Sequence, residues 1–342
     1  MATIYDVAQR AEVSAATVSR VLNGHASVDP HLAERVRVAV TDLGYRPNAL
    51  ARNLRRSRTS LWAAIISDVG NPFFTSLVRG VEDVARSSAY SVVLCNSDED
   101  PEKEADYVSV ALAEQMAGVI MSPSGDPEGV RRLIAANTSV VVIDRELPGV
   151  AVDTVLVDNE QGAAEATAHL LSNGYQRIAC VTGPAGISTA ERRLRGYQRA
   201  LINTGQEPDV ALVRHADFRE PGGYQAMASL LDADDRPDAV FVANNLMAVG
   251  ALECLLARGV AVPDQIGVVA FDDLPWANLV RPALTTVGQP TYQLGRTAAL
   301  MLAARIEDPD KQPGTVVLKT ELHVRGTSGR GPVSGSETRQ PA

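Results

Sequence analysis

The chain has 342 residues, is 45% apolar and 21% charged, and holds 26 Gly and 19 Pro, which excludes a wholly disordered, collagenous or coiled-coil polypeptide. It is longer than one hydrophobic core usually supports, so two or three domains are expected. The net charge of −9 would argue against a nucleic-acid binder if charge were evenly spread, but residues 1–58 hold nine arginines, no lysine and five acids, a net of +4. The remainder, with 23 basic and 36 acidic residues, carries −13. A small basic head on a large acidic body suits a head that meets a polyanion. No apolar run reaches the length of a membrane span, and MATIYDVAQRAEVS has acidic and polar residues where a secretory signal carries a basic end and an apolar stretch. Neither membrane association nor export is expected. Cys95, Cys180 and Cys254 are far apart with no CxxC spacing; they read as buried, reduced thiols rather than a disulfide framework or a zinc site.

In chain order, Thr3 caps a first helix whose apolar positions Ile4, Val7, Ala8 and Ala11 recur at helical spacing, with Asp6 in the first turn. After the short turn Glu12-Val13, Ser14 caps a second helix with Val18, Val21 and Leu22 on one face, stopped at Asn23-Gly24. Its outward face carries Ala15, Ala16, Thr17, Ser19 and Arg20: small residues that allow close approach to a groove, hydroxyls for phosphates, and one guanidinium able to fork onto guanine. A third helix starts at the Asp29 cap with Pro30 in its first turn, and Leu32, Val36, Val40 and Leu43 form its expected packing stripe before Gly44.

TIYDVAQRAEVSAATVSRVLNG followed by GYRPNALARNLRRSRT resembles the opening of the LacI/GalR family of bacterial transcriptional repressors. The agreement is one of spacing, in Asp6-Val7-Ala8, Val13-Ser14, Thr17-Val18-Ser19-Arg20 and Pro47-Asn48. The resemblance implies a helix-turn-helix head that reads double-stranded DNA at a palindromic operator. Ala15, Ala16 and Arg20 would meet bases, with Thr3, Ser14, Thr17, Ser19, Asn23 and Asn48 at or near the backbone. Glu12 stands where that family commonly has glycine, at a cost of about 1 kcal/mol if the turn needs a positive φ. Residues 48–58, with Ala49, Leu50, Ala51, Leu54 and four arginines, are too few for a stable isolated helix. By resemblance they are a hinge helix that pairs across a dimer on DNA, with Leu54 wedged into the minor groove and Arg55 and Arg56 on phosphates. The bland alternative is a basic linker.

From Leu61 the apolar runs LWAAIIS, SVVLC, GVIMS, SVVVID, RIACVTG, DAVFVA and QIGVVAFD alternate with helical stretches, a parallel α/β signature. They fall into two groups joined near Asp158-Asn159. The expected architecture is an all-α three-helix head and hinge helix, followed by an α/β body of two lobes, each a doubly wound parallel sheet, like a periplasmic binding protein. The expected boundaries are 1–46 for the head, 47–60 for the hinge and 61–328 for the body, with a Gly/Ser/Pro-rich disordered tail at 329–342. Lobe one would comprise about 61–158 plus 290–317, and lobe two about 159–288 plus 318–328.

Ligands of such sheets sit beyond the carboxyl ends of the strands. The residues there, Asn71 to Phe74, Asp144-Arg145, Arg193, Asn244-Asn245 and Asp272-Asp273, offer planar forks for adjacent hydroxyls and aromatic faces for a sugar ring. The chain has no HExxH, GxxxxGK[ST] or GxSxG motif and no GxGxxG at a strand-to-helix junction, so neither an enzyme nor a bound cofactor is expected. The set resembles the pocket of ribose-type periplasmic binding proteins at Asn71, Phe73, Phe74, Asp144, Arg145, Arg193, Phe218, Asn244, Asp272 and Gln289, with Trp276 a further candidate to close the cleft. Asn245 stands where that pocket usually has Asp, so the implied effector is a pentose, a hexose or a derivative.

Each residue also has a plain structural reading: Asn71-Pro72 as a turn, Asp144 and Asp272 as loop caps, Gln289-Pro290 as the crossover between lobes. The whole implies a cytoplasmic, nucleoid-associated bacterial repressor released from DNA by a sugar. It would be a homodimer rather than a tetramer, because the tail lacks leucine heptads, with the helix at Thr75 to Ala89 a candidate interface. The competing readings are an exported sugar receptor of a transport system, opposed by the basic head, and an α/β enzyme, opposed by the missing nucleophile–base pair.

Overall fold

The computed structural model describes residues 2–22, 28–45 and 59–329. The chain divides into two compact units, one ending at Thr59 and the other beginning at Ser60. In the first, helices α1 (Ile4–Arg10), α2 (Ala15–Leu22) and α3 (Pro30–Asp42) close on a core of Val7, Val18 and Val36 with Ala8, Ala11 and Ala39. Thr3 and Asp6 cap α1 reciprocally: the Asp6 N–H donates to Thr3 Oγ1 at 3.3 Å and the Thr3 N–H donates to Asp6 Oδ2 at 2.7 Å. That backbone bond holds the Asp6 carboxyl below its ordinary range. Glu12 turns the chain at φ 51°, a left-handed position where a side chain costs about 1 kcal/mol relative to glycine.

The inward stripe of α3 differs from the expected one. Ala33, Val36 and Ala39 are buried, Leu32 and Val40 are half-buried, and Leu43 is exposed. Three short helices approach closely only where small residues lie between them, so alanines take the inner positions and the leucines are displaced to the rim. Asn23, the hinge positions Asn48, Leu54, Arg55 and Arg56, and the tail from residue 330 lie outside the described residues.

The second unit holds two six-stranded sheets. One contains β1 (Leu61–Ile66), β2 (Ser91–Asn96), β3 (Gly118–Met121), β4 (Ser139–Ile143), β5 (Asp153–Val157) and β11 (Thr315–Leu318). Its order is β11-β5-β4-β3-β1-β2, parallel throughout. The other contains β6 (Ile178–Thr182), β7 (Val213–His215), β8 (Ala239–Val242), β9 (Gly267–Phe271), β10 (Thr285–Gly288) and β12 (Glu321–His323). Its order is β12-β10-β9-β8-β6-β7, with only β12 antiparallel. Central strands are buried end to end because helices cover both faces, which is why they read as unbroken apolar runs. The chain passes between the sheets three times: at Asp158, at Gln289-Pro290 and at Lys319-Thr320. Leu318 pairs with Val157 in the first sheet, so it belongs to lobe one and not, as expected, to lobe two.

The last long helix, α11 (Thr291–Glu307), returns to the first lobe and lies along α4 (Pro72–Ser87). Their backbones meet at two glycines: a Cβ on Gly80 would overlap the Tyr292 carbonyl oxygen, and one on Gly295 would overlap the Leu77 carbonyl oxygen. This contact consumes the apolar stripe of α4, where Leu77, Val81 and Ala85 are buried while Thr75, Arg79, Glu82, Asp83 and Arg86 are exposed. The segment Thr75 to Ala89 therefore offers a subunit interface only its polar side. Gly80→Ala should force the two helices apart and lower the unfolding free energy, measured by urea titration, by about 1–3 kcal/mol.

Candidate functional site

In a parallel sheet every strand delivers the chain to the same edge, so residues following the strands gather there. The carboxyl ends of both sheets border one cleft, with about 480 Å³ of atom-free space including its mouth. All ten ligand positions expected from the sequence line it: Asn71, Phe73, Phe74, Asp144, Arg145, Arg193, Phe218, Asn244, Asp272 and Gln289. Sequence reasoning missed Asp68, Glu99, Thr189, Asp217 and Arg219, which line it too. Trp276 is not part of the cleft. It lies with Val249, Leu252, Leu256, Val260 and Val280 in an apolar groove of lobe two.

Asn71 caps α4, its Oδ1 accepting from the Phe73 N–H at 3.0 Å. The same amide meets Asn245, the first residue of α10 (Asn245–Ala257), across the cleft: Asn71 Nδ2 donates to Asn245 Oδ1 at 3.1 Å and Asn245 Nδ2 donates to Asn71 Oδ1 at 2.8 Å. A reciprocal pair needs an amide on each side. Aspartate at position 245 would set two acceptors against each other, which gives the departure at Asn245 a physical reason. Further contacts join the lobes: Arg219 donates to Asp98 Oδ1 at 2.8 Å, Arg192 Nε to Glu146 Oε2 at 3.1 Å, and the Glu146 N–H to Ser188 Oγ at 3.0 Å.

The inner charges of the cleft, Asp144, Arg145, Arg193 and Asp272, are buried and paired. Arg145 donates to Glu99 with both terminal nitrogens, one bond at 2.8 Å, and to the Pro123 carbonyl at 3.0 Å. Arg193, from α8 (Ser188–Asn203), donates to Asn159 Oδ1 and the Ala243 carbonyl, both at 2.7 Å, and its guanidinium lies 3.8 Å from the Phe271 ring centroid. Gln289 donates to Asp272, whose other oxygen is 3.7 Å from Arg193. Asp144, Phe218 and Asp272 have φ of 67°, 62° and 70°, a left-handed backbone that is costly for such residues and clusters at functional sites. The Phe218 ring fits only because residue 183 is glycine: a Cβ there would overlap it. Phe73 and Phe74 stand edge to face, their centroids 4.9 Å apart.

In the head, the Thr17 N–H donates to Ser14 Oγ at 3.1 Å, and the two hydroxyls are 2.9 Å apart. Val18 is buried, Ala16 and Arg20 are exposed, and Ala15, Thr17 and Ser19 are intermediate, with Ala15 packing partly on the head core. Arg20 has no ion-pair partner among the described residues.

Residues 3–48 match the model of bacterial regulatory proteins of the lacI family, and residues 167–328 match the periplasmic-binding-protein-like domain. The chain is 37% identical to the ribose operon repressor of Halalkalibacterium halodurans over 329 residues, 96% of this chain and 97% of that one. The chain belongs to the lacI family of bacterial regulatory proteins. Catabolite control protein A of Priestia megaterium is another relative, 37% identical over 94% of this chain and 98% of its own. Among solved members of the family, the lac repressor dimer bound to operator and the anti-inducer ONPF has a TM-score of 0.84 at 28% identity, covering 96% of this chain and 99% of that one. The transcriptional regulator CelR in complex with cellobiose has a TM-score of 0.73 at 34% identity, covering 96% and 100%. The family places a DNA-binding head before a two-lobed body, the order of parts found here.

Burial pushes the Asp144 carboxyl up to about 6, against the pull of Arg145 and Arg193, with Asp272 and Glu99 adding to the rise. A carboxyl whose folded value exceeds its unfolded 3.8 binds more protons in the folded state. Its contribution is fully favourable below pH 4 and is lost as pH rises to about 6. Asn, which resembles the neutral acid and tolerates the same backbone, should therefore stabilise the protein at pH 7 by about 2–3 kcal/mol. Urea titrations of Asp144→Asn and the parent chain at pH 7 and pH 4 should show a gain at the first pH that closes at the second.

Proposed function

We propose that this regulator is a repressor whose hold on a palindromic operator is set by a small pentose- or hexose-like effector bound between the lobes. The observation that carries the reading is the cleft itself. It combines polar groups with three phenylalanines, is built from both lobes, and belongs to a chain with a lacI-type head. A ligand acts on such a body only by binding one lobe arrangement better than another. The Asn71–Asn245, Arg219–Asp98 and Arg192–Glu146 contacts exist only when the lobes are together, so an effector that fits between them favours that state. The names of the ribose operon repressor and of the CelR complex with cellobiose support a sugar. A non-enzymatic, cytoplasmic protein is the reading consistent with a family of repressors, and no helix among the described residues is long and apolar enough to cross a membrane.

In the head, Ala16 and Arg20 are the side chains of α2 best placed to meet base edges, and Ser14, Thr17 and Ser19 to meet phosphates. Ala15 contributes its partly exposed methyl, and Thr3 lies at the start of α1. Asn23, Asn48, Leu54, Arg55 and Arg56 keep the backbone-contact and minor-groove roles that the family pattern implies. The dimer is the state of the lac repressor structure on operator. Here the apolar groove of Val249, Leu252, Leu256, Val260, Trp276 and Val280 suits a second copy better than the polar side of α4 does. Leu256 is 82% exposed and Leu279 75%, so a charge there should prevent pairing. Sedimentation of Leu256→Glu should give a monomer that binds operator poorly, whereas an unchanged dimer would place the interface elsewhere.

Selection from random duplexes at fixed salt, repeated with pentoses and hexoses, tests the main reading: a palindrome should emerge and one sugar should release it. Arg20→Ala should cost about 1–3 kcal/mol at one operator position, whereas Arg55→Ala should weaken all sequences and flatten the salt dependence. Equal losses on every sequence from both changes would overturn the assignment of Arg20 to bases.

A further inference from the structure

Five carboxylates border the cleft: Asp68, Glu99, Asp144, Asp217 and Asp272. Three guanidiniums oppose them, Arg145, Arg193 and Arg219, and among the described lining residues there is no lysine or histidine. The lining is therefore net negative, and its cations are committed. Arg145 is forked onto Glu99, with its Nε 3.7 Å from Asp144. Arg193 is held by Asn159, the Ala243 carbonyl and Asp272, and Arg219 is turned onto Asp98. A phosphate or carboxylate entering the interior of this cleft would have to strip Arg145 from Glu99 or Arg193 from Asp272 and leave that carboxylate, largely buried, beside the new anion. Buried charge is costly in that arrangement.

The unused hydrogen-bonding capacity points the same way. Among the described residues, Arg145 Nε and Gln289 Oε1 are buried side-chain atoms without a hydrogen-bond partner. One is a donor and the other an acceptor, and a hydroxyl can serve both. Carboxylates offer mainly acceptors, so the guest must bring donors. Phe73, Phe74 and Phe218 supply apolar faces for the C–H side of a ring.

We infer that the effector is an uncharged, unphosphorylated polyhydroxylated ring, and that the cleft rejects the sugar phosphates formed from it. The inference rests on the sugar-effector reading of this cleft and narrows it. It sets the effector in the chemistry that precedes phosphoryl transfer to a sugar, so a kinase acting on the sugar would remove the signal.

The test is calorimetric titration of the full-length protein, without DNA, with D-ribose, D-xylose, D-arabinose, D-glucose, D-galactose, D-fructose and D-glucosamine, and with ribose 5-phosphate, glucose 6-phosphate and fructose 6-phosphate. One neutral sugar should bind, and the best phosphate should be weaker by roughly tenfold or more, which is about 1.4 kcal/mol. Glu99→Gln, which frees Arg145, and Asp217→Asn, at the exposed rim, should each narrow that gap. A phosphate that binds as well as or better than every neutral sugar would overturn the inference and leave the sugar-effector reading standing. Glucosamine binding tighter than every neutral sugar would overturn it in favour of a cation. If no compound binds, both the inference and the reading beneath it fail.

Discussion

Arg145 and Arg193 are buried guanidiniums, and a charge so placed persists only when carboxylates and carbonyls surround it. Much of the body can be understood from that demand. Parallel strands bring Glu99, Asp144 and Asp272 to the same edge as the two arginines, and the closed lobes keep water from doing the carboxylates' work. The pairing is incomplete inside the cleft: burial pushes the Asp144 carboxyl up to about 6, on a left-handed backbone. Stability is given up there for a set of fixed acceptors, the usual relation between a binding site and the fold that carries it.

Much of this arrangement is legible in the sequence because it is local. Thr3, Ser14 and Asp29 cap helices by bonds spanning two or three residues, and caps depend on little else. The seven apolar runs become β1, β2, β3, β4, β6, β8 and β9. Most are covered on both faces, and burial writes itself into composition. Of the strands the sequence hides, β7, β11 and β12 are partly exposed edges, and β5 and β10, though buried, interrupt the apolar run with Asp153, Thr154, Thr285 and Thr286. They carry no comparable signature.

The cleft follows the same logic. Asp144, Asn244 and Asp272 come directly after legible strands. Asp217, Phe218 and Arg219 follow β7, which the sequence hides, and only a family resemblance pointed to Phe218. Glu99 lies in an acidic stretch, NSDEDPEKE, that reads as a solvated loop, and only the fold shows it holding Arg145. Trp276 shows the opposite error. Proximity in sequence to Asp272 suggested the cleft, but the indole packs with Val249, Leu252 and Val280 instead. Contacts with residues so distant in the chain leave no local trace.

The two ion pairs between lobes are of another kind from those inside the cleft. Arg219, Asp98, Arg192 and Glu146 keep roughly a third or more of their side-chain surface in solvent, so their attraction is weak and screened by salt. Contacts between a basic head and DNA phosphates are screened in the same way. A rise in ionic strength thus loosens the body's grip on itself and the head's grip on DNA together, without any change in effector. Within the body, ionic strength therefore acts on the exposed pairs at the mouth of the cleft and leaves the buried pairs of Arg145 and Arg193 nearly untouched.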